Sequence, residues 1–215
     1  MKIAIVGYGK MGRLIDQLAS GYDCEVALKL DDSEGITREN LAGIDVAIEF
    51  STPHTAVDTL ERLAAAGVNT VVGTTGWHDR LDQVARIVNS AGTGLIWSPN
   101  FSIGVNAFFH LVSEASRLLS GYGAWAWEIH HDAKKDAPSG TLVKLVELMK
   151  HHQVDVSSNR AGMHPGTHEI GFDSAADTIT LRHTARNREG FARGALAAAR
   201  WIEGKKGVFK FGEDM

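Results

Sequence analysis

The residues best suited to chemistry lie in one segment, Glu128–Thr141, which reads Glu-Ile-His-His-Asp-Ala-Lys-Lys-Asp-Ala-Pro-Ser-Gly-Thr. Its paired histidines and paired lysines supply positive charge and proton donors, and clustered cations lower one another's pKa towards neutrality. Pro-Ser-Gly-Thr predicts the start of a helix with Ser139 as its N-cap. The free N–H groups of Gly140 and Thr141, with the helix dipole, are suited to a carboxylate. We expect a reaction centre for a small anionic substrate, which Ser139, Gly140 and Thr141 would bind.

Two other interpretations remain open on these residues alone. The segment could be a solvated basic loop that caps a helix. It could also bind zinc, but His130 and His131 are adjacent on a predicted strand and therefore point to opposite faces. No cysteine or helical pair of histidines completes a zinc ligand set. We therefore predict no metal site.

The strand that leads into the segment, Ala124–His130, alternates strictly in side-chain character. Its two tryptophans and Ile129 share one face, which we predict to be a packing surface. The opposite face carries small side chains, followed by Glu128 and His130 at the end of the strand. We expect that face to be open, with space for a ligand.

A second motif, Gly7–Gly12, reads Gly-Tyr-Gly-Lys-Met-Gly and follows the first predicted strand directly. In such a loop one glycine permits a tight turn, one lets a pyrophosphate approach the backbone, and one allows close packing of helix on strand. The following helix offers its free N–H groups to the phosphates. The sequence therefore predicts dinucleotide binding by Gly7, Gly9, Lys10, Met11 and Gly12.

Acidic residues at the end of the second strand bear on the choice of dinucleotide. Asp31 and Asp32 are suited to accept hydrogen bonds from the ribose hydroxyls and to repel a 2′-phosphate. No arginine adjoins them; Lys29 precedes them and Arg38 is further along the chain. The alternative is a solvated turn. We expect NADH to be used at least as well as NADPH.

Two more loops follow predicted strands, Phe50–Pro53 and Gly73–Gly76. Ligands of open α/β sheets bind outside the carboxyl ends of the strands, so Phe50, Gly73 and Thr75 are candidates to contact the cofactor. Ordinary turn chemistry, which also favours Gly, Ser and Thr, is an equal alternative for each loop taken alone.

The first hundred residues predict an α/β fold, an N-terminal Rossmann domain with a doubly wound parallel sheet. Short apolar runs alternate there with helical patterns; the runs are Lys2–Val6, Glu25–Leu30, Asp45–Glu49, Asn69–Val72 and Gly94–Trp97. The pattern changes after Asn100, where a second, smaller α+β domain built on a mixed sheet is expected. We place the dinucleotide-binding domain at 1–100, with 190–215 returning to it, and the substrate-binding and oligomerisation domain at 101–189.

Composition narrows the class of protein. The 215 residues carry a net charge of −4, which gives no electrostatic reason to bind nucleic acid or an anionic membrane. Cys24 is the single cysteine, so the sequence has no disulfide framework. The apolar run at the N-terminus is too short for a signal peptide or a membrane span. We expect a cytoplasmic protein.

Together these motifs resemble the 4-hydroxy-tetrahydrodipicolinate reductase family, also called dihydrodipicolinate reductases. The family signature, Glu-x-His-His-x-x-Lys-x-Asp-Ala-Pro-Ser-Gly-Thr, is matched throughout by Glu128–Thr141. The resemblance covers nearly the whole chain and takes in further segments in the same order: Gly7–Gly12, Phe50–Pro53, Val72–Gly76, Asn100–Asn106 and Arg188–Gly194. Several separated motifs in one order are far more specific than any one alone.

The resemblance implies that 4-hydroxy-tetrahydrodipicolinate, a cyclic dicarboxylate, is reduced to tetrahydrodipicolinate by hydride from NADH or NADPH, on the route to diaminopimelate and lysine. It makes His130 the candidate catalytic acid and Lys134 the second proton-donating or charge-stabilising group. His131, with Gly140 and Thr141, would hold substrate carboxylates. The nicotinamide and its ribose would lie against Gly73, Thr75, Ser98, Asn100 and Phe101.

The chain departs from the family in the second domain. Usual members have a longer stretch before the strand near Gly166–Phe172, whereas here only three residues separate Gly162 from Gly166. One hairpin-sized piece is therefore missing. The family typically forms tetramers through that domain's sheet, so we expect a homotetramer whose interface differs in detail.

Two other functions compete with the reductase on the sequence alone. Another two-domain NAD(P)-dependent amino-acid or imine dehydrogenase would need a different substrate clamp from the Pro-Ser-Gly-Thr helix start. A redox-sensing module that reads the NADH/NAD ratio would need a basic DNA-binding or docking element, and the sequence offers none. The reductase is the prediction.

Overall fold

Alternating short strands and helices build the protein, and the computed structural model describes residues 1–31 and 33–215. Asp32 lies outside the described residues. Along the chain the elements are β1 (Lys2–Val6), α1 (Lys10–Leu18), β2 (Glu25–Leu30), β3 (Val46–Glu49), α2 (Pro53–Ala66), β4 (Asn69–Val72), α3 (Leu81–Ala91), β5 (Gly94–Trp97), α4 (Ile103–Leu118), β6 (Gly123–His130), α5 (Gly140–Leu148), β7 (Val154–Arg160), β8 (Thr167–Asp173), β9 (Thr178–Thr184), α6 (Glu189–Ile202) and β10 (Gly207–Lys210). They form two units, Met1–Ile103 with Glu189–Met215, and Gly104–Arg188.

The first unit is a six-stranded parallel sheet in the order β10-β5-β4-β3-β1-β2. Alternate side chains of β1 enter different cores, because successive residues of a strand point to opposite faces. Ile3 and Ile5 pack with residues of α1 and α6, whereas Ala4 and Val6 pack with Leu63 of α2. Helices therefore cover both faces, and the predicted doubly wound Rossmann fold is confirmed.

The second unit is a four-stranded sheet in the order β7-β6-β8-β9, and its predicted mixed character is confirmed. The pair β6 and β7 is parallel, while β6 with β8 and β8 with β9 are antiparallel. Its core lies on one face of the sheet, where α4 and α5 contribute Phe108, Val112, Leu142 and Leu145. The other face carries Trp125 and Trp127.

The prediction that the small face of β6 is open was wrong. The small face is covered, with Ala126 packed in the core and Glu128 and His130 buried. The small side chains let the helices approach the sheet closely, and large apolar side chains of α4 and α5 fill the space. The face with Trp125 and Trp127, predicted to be the packing surface, is instead partly exposed in the single chain.

Two strands were absent from the sequence interpretation. β7 is rich in polar residues and β10 is short, and each lies at the edge of its sheet, where burial imposes a weaker apolar pattern. A short 3₁₀ turn, His78–Arg80, precedes α3, which begins at Leu81. Among residues 1–31 and 33–215, no helix is long and apolar enough to cross a membrane.

Candidate active site

Glu128 lies at the centre of the polar cluster in the second unit. Its side chain is fully buried near the end of β6. The Oε1 atom accepts hydrogen bonds from the Ser139 backbone N–H and from the Arg160 guanidinium, both at 2.9 Å. Its Oε2 atom accepts a hydrogen bond from the Ser139 hydroxyl. The carboxylate therefore connects the end of β6 to the start of α5 and to the end of β7.

Strand register brings the other members of the cluster together. In the parallel pair of β6 and β7, His130 is opposite Arg160, and in the antiparallel pair of β6 and β8, Glu128 is opposite His168. Paired residues of neighbouring strands share a face of the sheet, so all four side chains lie on the helix-covered face. The cluster is thus built by three strands rather than by one segment of sequence.

The two imidazoles approach the same carboxylate oxygen. The Nε2 atoms of His130 and His168 lie 3.3 Å and 3.4 Å from Glu128 Oε2, and 3.3 Å from each other. His130 is 9% exposed and His168 is 5% exposed. Gly166 (φ +128°) lies against the His130 ring, where an added Cβ would be 2.8 Å from Cε1. A larger residue at that position would displace the imidazole.

The protonation states of the cluster follow from burial and hydrogen bonding. Burial alone would raise the pKa of Glu128, but the hydrogen bonds from Ser139 and Arg160 outweigh it and lower that pKa to about 2. Burial lowers the pKa of His168 to about 4, helped by the nearby His130. Burial also lowers the pKa of His130, against the attraction of Glu128. At neutral pH the carboxylate is charged and both imidazoles are predominantly neutral.

The predicted helix start is confirmed in its local geometry. Ser139 is the N-cap of α5, and its hydroxyl accepts a hydrogen bond from Leu142 N at 3.2 Å. Because Ser139 N and Oγ both donate to Glu128 and its side chain is buried, its geometry favours a positioning role over the predicted substrate contact. Gly140 is exposed, while Thr141 and His131 are half-buried.

Lys134 lies close enough to His130 to lower the pKa of that imidazole further. Its Nζ atom bonds the Asp136 carboxylate at 2.7 Å and 2.9 Å. The hydrogen bond from Lys134 is the main cause that holds the pKa of Asp136 below its ordinary value, and the Gly140 backbone N–H contributes as well. An internal carboxylate is therefore held between Lys134 and the start of α5.

In the first unit the glycine loop is tightly packed at two glycines and open at the third. Gly7 (φ +89°) and Gly12 are tightly packed, because an added Cβ would lie 2.3 Å from Phe50 O and 2.4 Å from Gly7 O, respectively. Gly9, the N-cap of α1, faces open space with no atom within 4 Å of an added Cβ. The first helical residues, Lys10 and Met11, follow it. These residues fit a dinucleotide, with two glycines for packing and one for approach.

The end of β2 offers an exposed carboxylate in Asp31. The nearest cation in sequence, Lys29, forms an ion pair with Asp16 at 2.7 Å. The other, Arg38, donates to the Ala65 carbonyl at 3.0 Å. Lys29 and Arg38 therefore both have partners of their own.

A buried carboxylate that the sequence interpretation missed connects the next two loops. Glu49, at the end of β3, accepts hydrogen bonds at Oε1 from Ser51 N (2.8 Å), from the Ser51 hydroxyl and from Thr74 Oγ1 (2.9 Å). Burial raises its pKa. The Phe50 ring lies directly over Gly73, where an added Cβ would be 2.2 Å from it. Thr75 is exposed beside them.

The loop after β5 is also ordered by its own side chains. Ser98 Oγ donates to Asn100 O at 2.8 Å and accepts from Asn100 N at 3.0 Å. Asn100 Oδ1 accepts from Ser102 N at 2.9 Å. Phe101 is buried in the core, so any cofactor contact there would come from backbone atoms.

Sequence reasoning missed His168, Arg160 and Glu49. The register between β6 and its neighbours identifies the first two, but β7 itself was not predicted and the antiparallel partner was not aligned. A signal for Glu49 was present, since a charged residue ended an otherwise apolar strand. Burial of that charge needs hydrogen-bond donors, and the adjacent Ser51 and Thr74 supply them.

Comparison with known proteins covers both units. A family model described as "Dihydrodipicolinate reductase, N-terminus" matches residues 1–101, and one described as "Dihydrodipicolinate reductase, C-terminus" matches residues 104–214. The 4-hydroxy-tetrahydrodipicolinate reductase of Christiangramia forsetii is 35% identical, over 97% of this chain and 95% of that protein. The enzyme of the same name from Methanoregula boonei is 32% identical, over 95% and 93%.

Solved structures agree with the fold. A dipicolinate-bound dihydrodipicolinate reductase from Paenisporosarcina sp. TG-14 superposes with a TM-score of 0.84 at 24% identity, covering 98% of this chain and 97% of that one. An amine dehydrogenase from Mycobacterium smegmatis has a TM-score of 0.68 at 9% identity, covering 100% and 95%. Both share the fold, but only the first shares a name with the sequence relatives and the family models. The chain belongs to the dihydrodipicolinate reductase family.

Proposed function

We propose that this chain reduces 4-hydroxy-tetrahydrodipicolinate to tetrahydrodipicolinate in lysine and diaminopimelate biosynthesis. The net reaction consumes one hydride and one proton and releases water. The observation that carries the proposal is the buried cluster that holds His130 and the start of α5 in one unit. The family membership supplies the substrate, and the Glu128–Thr141 segment matches the family signature throughout.

The residues of the second unit donate the proton, bind the substrate carboxylates and position these groups. His130, from the small fraction that is protonated at neutral pH, is the first candidate to donate the proton, and Lys134 is the second candidate donor or stabilises the charge that develops. Gly140, Thr141 and His131 bind substrate carboxylates, helped by the partial positive charge at the start of α5. An incoming carboxylate competes with Asp136, which Lys134 holds in place. Ser139 and Glu128 position these groups.

The first unit binds the dinucleotide. A bound nicotinamide supplies the hydride. Gly7, Gly9 and Gly12 admit the pyrophosphate, and Asp31 accepts hydrogen bonds from the ribose. The exposed Asp31 carboxylate and the ion pair of Lys29 with Asp16 both favour NADH, because a 2′-phosphate would meet a negative charge and no unpaired cation from Lys29. NADH is used at least as well as NADPH.

Freshly formed 4-hydroxy-tetrahydrodipicolinate tests the function directly. Oxidation of NADH and of NADPH is followed separately by the loss of nicotinamide absorbance, and we expect turnover with both and a Michaelis constant for NADH no higher than that for NADPH. No turnover with either would refute the reductase. A much lower Michaelis constant for NADPH would refute the cofactor preference alone.

Variants test the assigned roles. His130→Gln and Lys134→Ala should each lower kcat by about 10²- to 10⁴-fold, the usual contribution of a positioned acid. NADH binding, measured by the fluorescence of the bound nicotinamide, should stay nearly intact. Lys135→Ala, in the neighbouring exposed lysine, is the matched control and should keep its turnover. Full turnover in both site variants would show that the reaction centre lies elsewhere.

We also propose that the protein is a cytoplasmic homotetramer. The tryptophan face of the second sheet is partly exposed in the single chain, and the family typically associates through that sheet. The shortened connection before β8 leaves fewer residues to contribute to such an interface.

A further inference from the structure

The spacing of three buried ligand atoms matches a metal site. Glu128 Oε2, His130 Nε2 and His168 Nε2 are separated by 3.3, 3.4 and 3.3 Å. Ligands at the corners of a tetrahedron around Zn²⁺, at bond lengths of about 2.0–2.1 Å, lie ~3.3–3.4 Å apart. The same separations are long for hydrogen bonds, which centre near 2.9–3.0 Å. The three atoms therefore have the spacing of one face of a zinc tetrahedron.

We propose that Glu128, His130 and His168 form a binding site for Zn²⁺, and that the bound ion inhibits the reductase by taking the imidazole of His130. Two imidazoles and one carboxylate leave a fourth position open for water or another ligand, as in other three-ligand zinc sites. The inhibition rests on the proposed function, whereas the binding does not.

Neighbouring groups orient the ligands. Ser139 N and Arg160 hold Glu128 Oε1, so Oε2 is the oxygen turned towards the histidines. The Nε2 atom of His168 also lies 3.1 Å from Ser139 Oγ, which donates to Glu128 Oε2 as well, so Ser139 is the neighbour whose contact with that nitrogen a bound ion replaces. Arg160 and Lys134 add positive charge nearby. That charge weakens binding and makes it reversible, which fits an inhibitor rather than a resident ion.

A competition experiment on the full chain tests the binding. Protein stripped with EDTA is titrated with Zn²⁺ in the presence of a chromophoric zinc indicator, and we expect one equivalent bound per chain. His168→Gln should bind more than about 100-fold more weakly, since loss of an outer hydrogen-bonding partner alone costs about 10- to 100-fold. His183→Gln is the matched control, because His183 is the cross-strand neighbour of His168 on the same face and is not among the three ligands. It should bind as the wild type does.

A second measurement, on the wild type, tests the site even where His168→Gln fails to fold. In crystals of the wild type soaked with Zn²⁺, anomalous diffraction at the zinc edge should place one peak between the three ligand atoms. A peak elsewhere, no bound equivalent, or unchanged binding by folded His168→Gln would overturn the site.

The reductase assay in zinc buffers tests the inhibition separately. Turnover should fall as the site fills and return when EDTA is added. Unchanged turnover with the site filled would overturn the inhibition. No turnover by metal-free protein would instead refute the proposed function and leave the binding result standing.

Discussion

At the scale of single residues, Glu128 and His168 make the stability of the second unit depend on pH. Between its ordinary pKa and its shifted pKa, each group holds a protonation state in the folded chain that the unfolded chain does not hold. The Glu128 carboxylate stays ionised because Ser139 and Arg160 bond to it, and the His168 imidazole stays neutral because it is buried. A proton taken up by either group weakens the cluster.

The sign of the pH dependence follows from these shifts. The ordinary pKa of histidine is near 6.5, and burial lowers the pKa of His168 to about 4. Between these values the unfolded chain binds a proton that the folded chain does not, so stability falls as pH falls. This group contributes up to about 3 kcal/mol, present above pH 6.5 and lost by pH 4. Glu128, lowered from 4.5 to about 2, extends the loss below pH 4.5.

Urea unfolding from pH 8 to pH 4 measures this dependence. We expect the free energy of unfolding to decrease below about pH 6.5, and to decrease less steeply in His168→Gln. The slope of the free energy of unfolding against pH stays above zero in the variant, because burial also lowers the pKa of His130 and of His183. From pH 7 to 8 the two proteins should have equal slopes, which is the internal control. Equal slopes below pH 6.5 as well would mean that His168 is not held neutral.

At the scale of elements, the carboxyl ends of β3 and β4 are joined through a side chain. Glu49 bonds the loop after β3 at Ser51 and the loop after β4 at Thr74. Both loops carry predicted cofactor contacts, Phe50 on one and Gly73 and Thr75 on the other. We therefore expect Glu49 to act on cofactor binding through the loops that it positions.

Glu49→Ala removes three hydrogen bonds, each worth about 1 kcal/mol net, and leaves space beneath both loops. The Michaelis constant for NADH should rise about tenfold, with a much smaller change in kcat. Glu49→Gln keeps an acceptor oxygen of the same shape and is the matched control, with a Michaelis constant close to that of the wild type. A purely structural role would lower Tm in Glu49→Ala and leave the Michaelis constant of the folded enzyme unchanged.

The elements also show what sequence could predict. The strands β1, β3, β4 and β5 were found from sequence because both faces of a parallel sheet are buried there, so each consists mainly of apolar residues. The edge strand β2 was found although only alternate residues of it are half-buried. The helix start at Ser139 was found because N-cap chemistry is local. The cluster around Glu128 was only half found, since His168 and Arg160 reach it through the pairing of β6 with β8 and β7. Pairing between distant strands leaves no local pattern, and the polar sequence of β7 gave no strand signal.

The covered face of β6 was misjudged for a related reason. Small residues on a strand fit either an empty cleft or a closely packed helix, and alternation alone does not distinguish the two. Leu142 and Leu145 of α5 fill the space beside Ala126. We therefore expect the ligand-binding surface at the start of α5 rather than on the open face of a strand.

At the scale of the whole molecule, the remaining question is association. The uncovered sheet face carries Trp125 against Gly171, where an added Cβ would be 2.1 Å from the indole. Trp127 donates from Nε1 to Asn159 Oδ1 at 2.6 Å, and Arg182 lies 5.9 Å from its ring centre. Large, ordered aromatic side chains on one exposed face are typical of protein interfaces.

Trp127→Glu tests whether that face joins the subunits. The new carboxylate lies near Arg182 but directly opposite Glu169, so folding of the variant is checked by circular dichroism. Two or more copies cannot bury the carboxylate in an apolar contact without a large desolvation penalty. We expect light scattering coupled to size-exclusion chromatography to give a mass of four chains for the wild type and a smaller mass for the variant. Leu118→Glu, the same kind of change at an exposed apolar residue of α4, should keep the wild-type mass. A tetrameric Trp127→Glu protein would place the interface on another surface, and a monomeric wild type would mean that the missing hairpin is needed for assembly.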